Sequence, residues 1–319
     1  MLLGATAVAW PLLPLAQPAK RTAHIGLLIS EPLAGQAARV ESLRAGLRDL
    51  GYVEGGDFVF ETRSADGNYG RLPALAADLV RLKVDVIVSL GSKATLAAHG
   101  ATQTVPIVVP LIGDPVGMGL VGSLSRPGGN ITGIAVLGPQ IGAKRLEILK
   151  EAMPRLRRVA YLQNPANASN ELMLKTYRAT GDPLGLQLRP FTAGSPKEFA
   201  TAFSAMAKAR MEAVVVSVDT LFRANIAEVA ALATKHRLPT AGAPEFADAG
   251  CLIGYGAVDA EMYRRSAYFV DRILKGAKPA ELPVEQPTRF ELVINLKTAR
   301  ALGLSIPQST LLRADRVIE

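Results

Sequence analysis

Short apolar stretches alternate with amphipathic stretches along the chain from about residue 24 onward. Largely apolar runs that indicate buried strands occupy residues 25–29, 84–88, 107–109, 158–162 and 213–218. Between them apolar residues recur at helical spacing, as Val40, Leu43 and Leu47 do before the helix-stopping Gly51. Strands that alternate with helices predict parallel sheets covered by helices on both faces.

The alternation occurs in two series, one before residue 137 and one after Pro139. A chain of 319 residues, of which 49% are hydrophobic, can bury a large core, and its length favours two compact units. The predicted fold class is therefore α/β, with two doubly wound parallel-sheet lobes and a cleft between them. A late helix marked by Met262, Val270 and Leu274 follows the second series.

Charge and cysteine content narrow the classes of function. The net charge is +8, but lysine and arginine are scattered, which favours a solvated basic surface over a nucleic-acid site. The single cysteine, Cys251, excludes an internal disulfide framework and a cysteine-based zinc cluster. The three histidines lack the spacing of metal ligands, and we expect no cofactor. Because the basic residues are scattered, we also expect no nucleic-acid partner.

Catalytic sequence motifs are missing. The sequence has no Gly-x-Ser-x-Gly elbow, no P-loop and no Gly-x-Gly-x-x-Gly after its first predicted strand. The glycine-rich residues 126–130 lead into a strand and are most simply a turn. We therefore expect a binding protein and not an enzyme.

Residues 1–16 carry no charge and are mostly apolar, with Pro11 and Pro14 among them. The run is too short to span a bilayer, and it is typical of the apolar part of a secretory signal. A small-residue site ends at Ala16, so the mature chain is predicted to begin near Gln17 and to be a soluble periplasmic protein.

Ligands of open parallel sheets bind at the carboxyl ends of the strands, where loops and helix N-termini converge. The candidate ligand-binding residues at these positions in the first lobe are Ser30, Glu31, Gly91, Ser92, Lys93, Asp114 and Pro115. In the second lobe they are Asn164, Asn167, Asp219, Thr220, Glu245 and Tyr255.

Ser92 lies where a predicted strand becomes a helix, so free backbone N–H groups and the helix dipole would face a ligand carboxylate. Its hydroxyl would add one donor. The alternative is that Ser92 only caps its helix. Lys93 either adds positive charge to the pocket or points to solvent.

Asp219 directly follows an apolar strand, where an acid is costly to bury without a positive partner. It is a candidate for binding an α-amino group, and the alternative is that it caps the helix that begins at Thr220. Asp114 is the second candidate, with Pro115 at the first helical position as its capping alternative. Asn164 and Asn167 offer amide groups to a ligand or else form a turn.

Four blocks of sequence resemble one family of transport proteins. Residues 282–299 read LPVEQPTRFELVINLKTA, and the other blocks are 51–55 (GYVEG), 114–116 with 123–133 (DPV and SLSRPGGNITG) and 314–319 (ADRVIE). In this order they resemble the ABC-transporter substrate-binding proteins related to the tryptophan-binding TrpX type.

The resemblance implies the type I periplasmic-binding-protein fold, in which the chain crosses between lobes three times. The implied crossings lie near residues 137–139, 254–256 and 280–282, with Tyr255 beside the second, where it either stacks on a ligand or simply packs. Lobe 1 would then comprise residues 22–137 and 256–280, and lobe 2 residues 138–255 and 281–319.

The function implied is capture of a small organic solute, an amino acid or related carboxylate, by closure of the lobes. The partners implied are an ABC permease and its ATPase at the inner membrane. The binding protein itself is expected to be a monomer. Residues 242–244 and 250–256 depart from the family pattern by losing bulk and a hydroxyl, so the resemblance does not by itself imply tryptophan specificity. The alternatives are a ligand sensor on the same fold without a transport role and, less favoured, a periplasmic enzyme.

Overall fold

The computed structural model describes residues 21–136, 138–167 and 170–319. The signal segment predicted at residues 1–16 lies outside them, as does Leu137 at the first predicted crossing. The described strands are β1 (Ala23–Ile29), β2 (Phe58–Ser64), β3 (Val86–Leu90), β4 (Ile107–Gly113), β5 (Ile131–Val136), β6 (Arg158–Gln163), β7 (Gln187–Thr192), β8 (Ala213–Val216), β9 (Thr240–Gly242), β10 (Ile253–Ala257), β11 (Phe290–Asn295) and β12 (Arg316–Ile318). The described α-helices are α1 (Ala37–Asp49), α2 (Leu72–Arg81), α3 (Ser92–Ala101), α4 (Gly138–Ala152), α5 (Asn170–Gly181), α6 (Phe199–Lys208), α7 (Thr220–Ala224), α8 (Ile226–Lys235), α9 (Pro244–Asp248), α10 (Asp259–Leu274), α11 (Leu296–Leu302) and α12 (Gln308–Leu311).

The first lobe is built on a parallel sheet with the described strand order β2-β1-β3-β4-β5. Successive residues of the strands are buried on opposite faces. Leu27 and Val88 join the core under α1 and α10, whereas Leu28 and Ile87 join the core under α2 and α3. Helices cover both faces, as the continuous apolar strands predict.

The second lobe contains a sheet with the described order β12-β11-β10-β9-β8-β6-β7. Strands β6 to β10 are parallel, β11 is antiparallel to β10, and β12 is parallel to β11. The predicted α/β architecture of two parallel-sheet lobes is confirmed. The antiparallel pair is an addition that the apolar pattern did not indicate, because pattern alone carries no strand direction.

The segment after α10 stays with the first lobe for longer than the sequence indicated. Glu285 exchanges backbone hydrogen bonds with β5, donating to the Gly133 carbonyl at 2.9 Å and accepting from the Ala135 N–H at 2.8 Å. The Thr132 hydroxyl also donates to the Leu282 carbonyl. The sequence placed the third crossing near residues 280–282, whereas in the structure the connection to β11 runs through residues 286–289.

Candidate functional site

Strand ends of both sheets converge on two adjoining cavities between the lobes, here called the cleft. The first cavity has a volume of about 40 Å³ and the second about 30 Å³. The predicted residues that line the first are Ser30, Gly91, Ser92, Lys93, Asn164, Asn167, Asp219 and Thr220. Those that line the second are Ser92, Asp114 and Asn167. Residues far apart in the chain thus meet where the strand-end rule places a ligand.

Gly91 lets the two lobes approach closely. Its φ of 107° is a conformation that favours glycine, and a Cβ there would lie 2.9 Å from the Ser30 hydroxyl and 3.2 Å from that of Thr220. Gly91 is also the N-cap residue of α3, so Ser92 is the first helical residue, and no side-chain cap bond is found for this helix among the described residues. The Ser92 hydroxyl and the free N–H groups of α3 therefore border the cleft.

Asp219 combines a structural role with a position on the cleft wall. It is the N-cap of α7, and its Oδ1 accepts hydrogen bonds from the Leu221 N–H at 2.9 Å and the Asn164 amide at 3.2 Å. Its Oδ2 accepts from the Asn167 amide at 2.8 Å. Burial raises the pKa of Asp219 even though these three bonds favour the charged form. The capping alternative is thus observed, and the same carboxylate borders the first cavity.

A polar contact joins the lobes at the side of the first cavity. The Tyr69 hydroxyl donates to Glu31 at 2.6 Å and accepts from the Asn164 amide at 3.4 Å. Burial raises the pKa of Glu31, and the nearby Asp219 carboxylate acts in the same direction. Glu31 itself lines neither cavity. Sequence reasoning missed Tyr69, because it lies in a turn after β2 and carries no strand-end signal.

The second cavity continues the cleft toward lobe 2. Asp114 has a φ of 50°, and its carboxylate accepts a hydrogen bond from the Gly117 N–H at 2.8 Å, while the adjacent Pro115 is buried and lines neither cavity. Tyr161 of β6 and Ser217, which directly follows β8, form part of its lining. The strand-end rule would have found Ser217, whereas nothing in the sequence singles out Tyr161.

Charged side chains from both lobes meet in a buried cluster beside the first cavity. Asp259 at the start of α10 accepts from Arg39 of α1 at 3.0 Å and pairs with Arg223 of α7, which itself lines the first cavity. Glu245 lies 3.8 Å from Arg223 and lines neither cavity of the cleft. Burial opposes charge on Asp259, but the two arginines outweigh it and lower its pKa. Burial and the Asp259 charge raise the pKa of Glu245.

Tyr255 packs at the second connection between the lobes and does not line the cleft. Its ring stacks on Phe290 with centroids 6.1 Å apart, and its carbonyl accepts from the guanidinium of Arg145 at 2.8 Å. Arg145 is fully buried and also donates to the Val216 carbonyl. Burial lowers the pKa of Arg145 to about 10, so it stays charged at neutral pH.

Within the described ranges, no group of metal-ligating side chains could hold a metal ion, and no helix is long and apolar enough to cross a bilayer.

Known proteins resemble the chain along nearly its whole length. A curated relative from Clostridioides difficile (strain R20291), named tyrosine-binding protein, is 23% identical over 89% of this chain and 82% of its own length. A crystal structure of a conserved domain protein from Vibrio cholerae is 28% identical, covers 93% of this chain and 100% of its own, and superposes with a TM-score of 0.87. A Streptococcus pneumoniae ABC domain in complex with L-Trp is 24% identical with the same coverage and a TM-score of 0.86.

These likenesses confirm the predicted type I periplasmic-binding-protein fold. The model of the family described as ABC transporter substrate binding protein matches residues 26–318. This match includes all but the first three residues of β1, the other described strands of both lobes and both walls of the cleft. The chain belongs to the family of ABC transporter substrate-binding proteins.

Proposed function

We propose that the protein captures an amino acid or a related small carboxylate in the cleft and presents it to an ABC permease and its ATPase. The observation that carries this proposal is the meeting of a helix N-terminus and a partly buried acid at one cavity. The N-terminus of α3 with Ser92 lines the same cavity as Asp219 of the other lobe. This arrangement suits a ligand with an anion at one end and a cation at the other.

The carboxylate of the ligand would bind at Ser92 and its ammonium group at Asp219, with Asn164 and Asn167 orienting that acid. Asp114, on the wall of the second cavity, is the other acid within the cleft lining. Names of relatives support the ligand class, since one is a tyrosine-binding protein and another was solved with L-Trp. A ligand that touches both lobes favours the closed form, which the transporter can then recognise.

The same proposal includes export of the protein to the periplasm, with removal of residues 1–16 on export. The apolar, uncharged composition of this segment supports them. N-terminal sequencing of protein from a periplasmic extract should give a chain that begins near Gln17. An intact Met1 end on cytoplasmic protein would contradict this part.

Ligand released by denaturing the purified protein, identified by mass spectrometry, tests the ligand class directly. We expect an amino acid or a related carboxylate, and calorimetry with that compound should show one site per chain. A released sugar or an uncharged solute, together with no heat of binding for any amino acid, would overturn the proposal.

A further inference from the structure

Two buried hydroxyl groups line the second cavity of the cleft. Tyr161 is fully buried in β6, and Ser217 is 4% exposed at the end of β8. The two hydroxyls lie close enough to interact with each other, but neither makes a hydrogen bond of ordinary geometry within the part of the chain that the structure describes. Since buried polar groups in native proteins are nearly always well paired, two hydroxyls that have only this poorly aligned contact in one cavity point to a partner that enters it.

The cavity is an extension of the proposed ligand site. It shares Ser92, Gly113, Asn167 and Val218 with the first cavity. A ligand whose carboxylate lies at Ser92 would therefore direct its side chain toward Tyr161 and Ser217. The volume of about 30 Å³ is enough for about two water-sized groups. Met173 and Pro139 form an apolar part of its wall.

The charges around this cavity restrict the group that it accepts. Burial raises the pKa of Tyr161, so its hydroxyl stays protonated and can donate. The Asp114 carboxylate on the same lining can accept, and it would repel an anion. A neutral group with both a donor and an acceptor satisfies all three side chains, and hydroxyl and carboxamide groups have both.

We propose that the second cavity is a side-chain subsite in which Tyr161 and Ser217 select an amino acid with a neutral hydroxyl or carboxamide group. The inference rests on the proposed function, since it assumes a ligand carboxylate at Ser92. A site built to hydrogen-bond such a group discriminates strongly against an analogue that lacks it, because its own polar groups then stay unpaired.

Calorimetry with two pairs of amino acids whose side chains match the small volume tests the subsite: L-serine against L-alanine, and L-asparagine against L-aspartate. In the unchanged protein the first member of at least one pair should bind about tenfold or more tightly than the second. Tyr161→Phe should reduce that preference to near unity. Ser217→Ala should reduce it as well, and it serves as the second variant if Tyr161→Phe does not fold.

Tyr177→Phe is the matched control. Tyr177 is fully buried, its hydroxyl is also without a partner among the described residues, and its ring packs on that of Tyr161 with centroids 4.8 Å apart. It lines neither cavity, so this variant should keep the preference while melting within a few degrees of Tyr161→Phe. Loss of the preference in the control would show a packing effect and overturn the assignment.

The outcomes separate this inference from the proposed function. If amino acids bind but no pair shows a preference, or Tyr161→Phe and Ser217→Ala both retain it, the subsite is refuted and the proposed function stands. If no amino acid binds the unchanged protein, the subsite is refuted, and the ligand identified by mass spectrometry decides the proposed function separately.

Discussion

At the residue scale, the cleft is formed by side chains that also hold the local fold together. Asp219 caps α7 while it borders the first cavity, and Asn164 accepts from the Ala166 N–H in a turn while its amide reaches Asp219 and Tyr69. Substitution of such residues therefore tests binding only if stability is measured in parallel.

Asp219→Asn should weaken binding of an amine-bearing ligand while the fold survives. A hydrogen bond to a charged group contributes about 1.5–3 kcal/mol, which is about a ten- to hundredfold change in affinity. Asparagine caps helices about as well as aspartate, so the melting temperature should change little. Calorimetry and thermal unfolding of the same preparation check both statements. A large drop in melting temperature with unchanged affinity would show that Asp219 is a cap only.

Affinity for the same ligand should fall as the pH is lowered. Burial raises the pKa of Asp219 above its ordinary value of 3.8, so the carboxylate takes up a proton at a higher pH than a free aspartate does. Once neutral, it no longer pairs with an ammonium group. Affinity should thus be lost as the pH falls through that raised pKa, with a midpoint above 3.8. Asp219→Asn should lack this titration, and an unchanged midpoint in the variant would assign it to another group such as Glu31.

At the element scale, close packing between helices depends on glycine at particular positions. Gly46 of α1 faces α10, and a Cβ at this position would overlap the Arg264 carbonyl oxygen. Gly100 of α3 has nothing within 4 Å of the corresponding point. The two glycines are both helical, but only one lies at a helix–helix contact.

Gly46→Ala should therefore destabilise the first lobe, because α1 and α10 must move apart. Overpacking of this kind costs about 1–3 kcal/mol. Gly100→Ala is the control, and it should be neutral or stabilise by up to about 1 kcal/mol, since alanine favours the helix. Chemical denaturation of both variants measures the difference in the free energy of unfolding. Equal stability of the two would contradict the close α1–α10 contact.

At the scale of the whole molecule, polar contacts join the two lobes in addition to the chain connections. Arg223 from lobe 2 pairs with Asp259 at the start of α10, which packs on α1 of lobe 1. The Tyr69–Asn164 contact lies on another side of the first cavity. Arg223 also lines the first cavity. A bound ligand and this ion pair would therefore both connect the two lobes at the same place.

Asp259→Asn should destabilise the closed protein and reduce ligand affinity. The Asp259 side chain is 6% exposed and lies between two arginines, so its removal leaves buried positive charge poorly compensated, at a cost of about 3 kcal/mol. Asp248→Asn removes an acid that is 48% exposed and pairs with Arg316, and it should cost at most about 1 kcal/mol. Thermal unfolding, calorimetry and small-angle scattering compare the two. Identical behaviour of the variants would show that the buried cluster does not favour closure.

The sequence by itself determined the elements and the places where ligand-binding residues can lie. Apolar period and strand-end position are local properties, so they predicted two α/β lobes and placed Ser92, Asn164 and Asp219 at strand ends. Family resemblance supplied the three crossings of the chain between the lobes, which periodicity does not contain.

Only the tertiary structure decided which strand ends meet and which distant residues become partners. Arg39 and Asp259 are 220 positions apart, and their contact depends on how α1 packs against α10. The direction of β11, the buried hydroxyl of Tyr161 at the cleft and the place of Glu245 beside Arg223 likewise depend on packing between elements. These features follow from long-range contacts, which leave no periodic signal in the local pattern of apolar and polar residues.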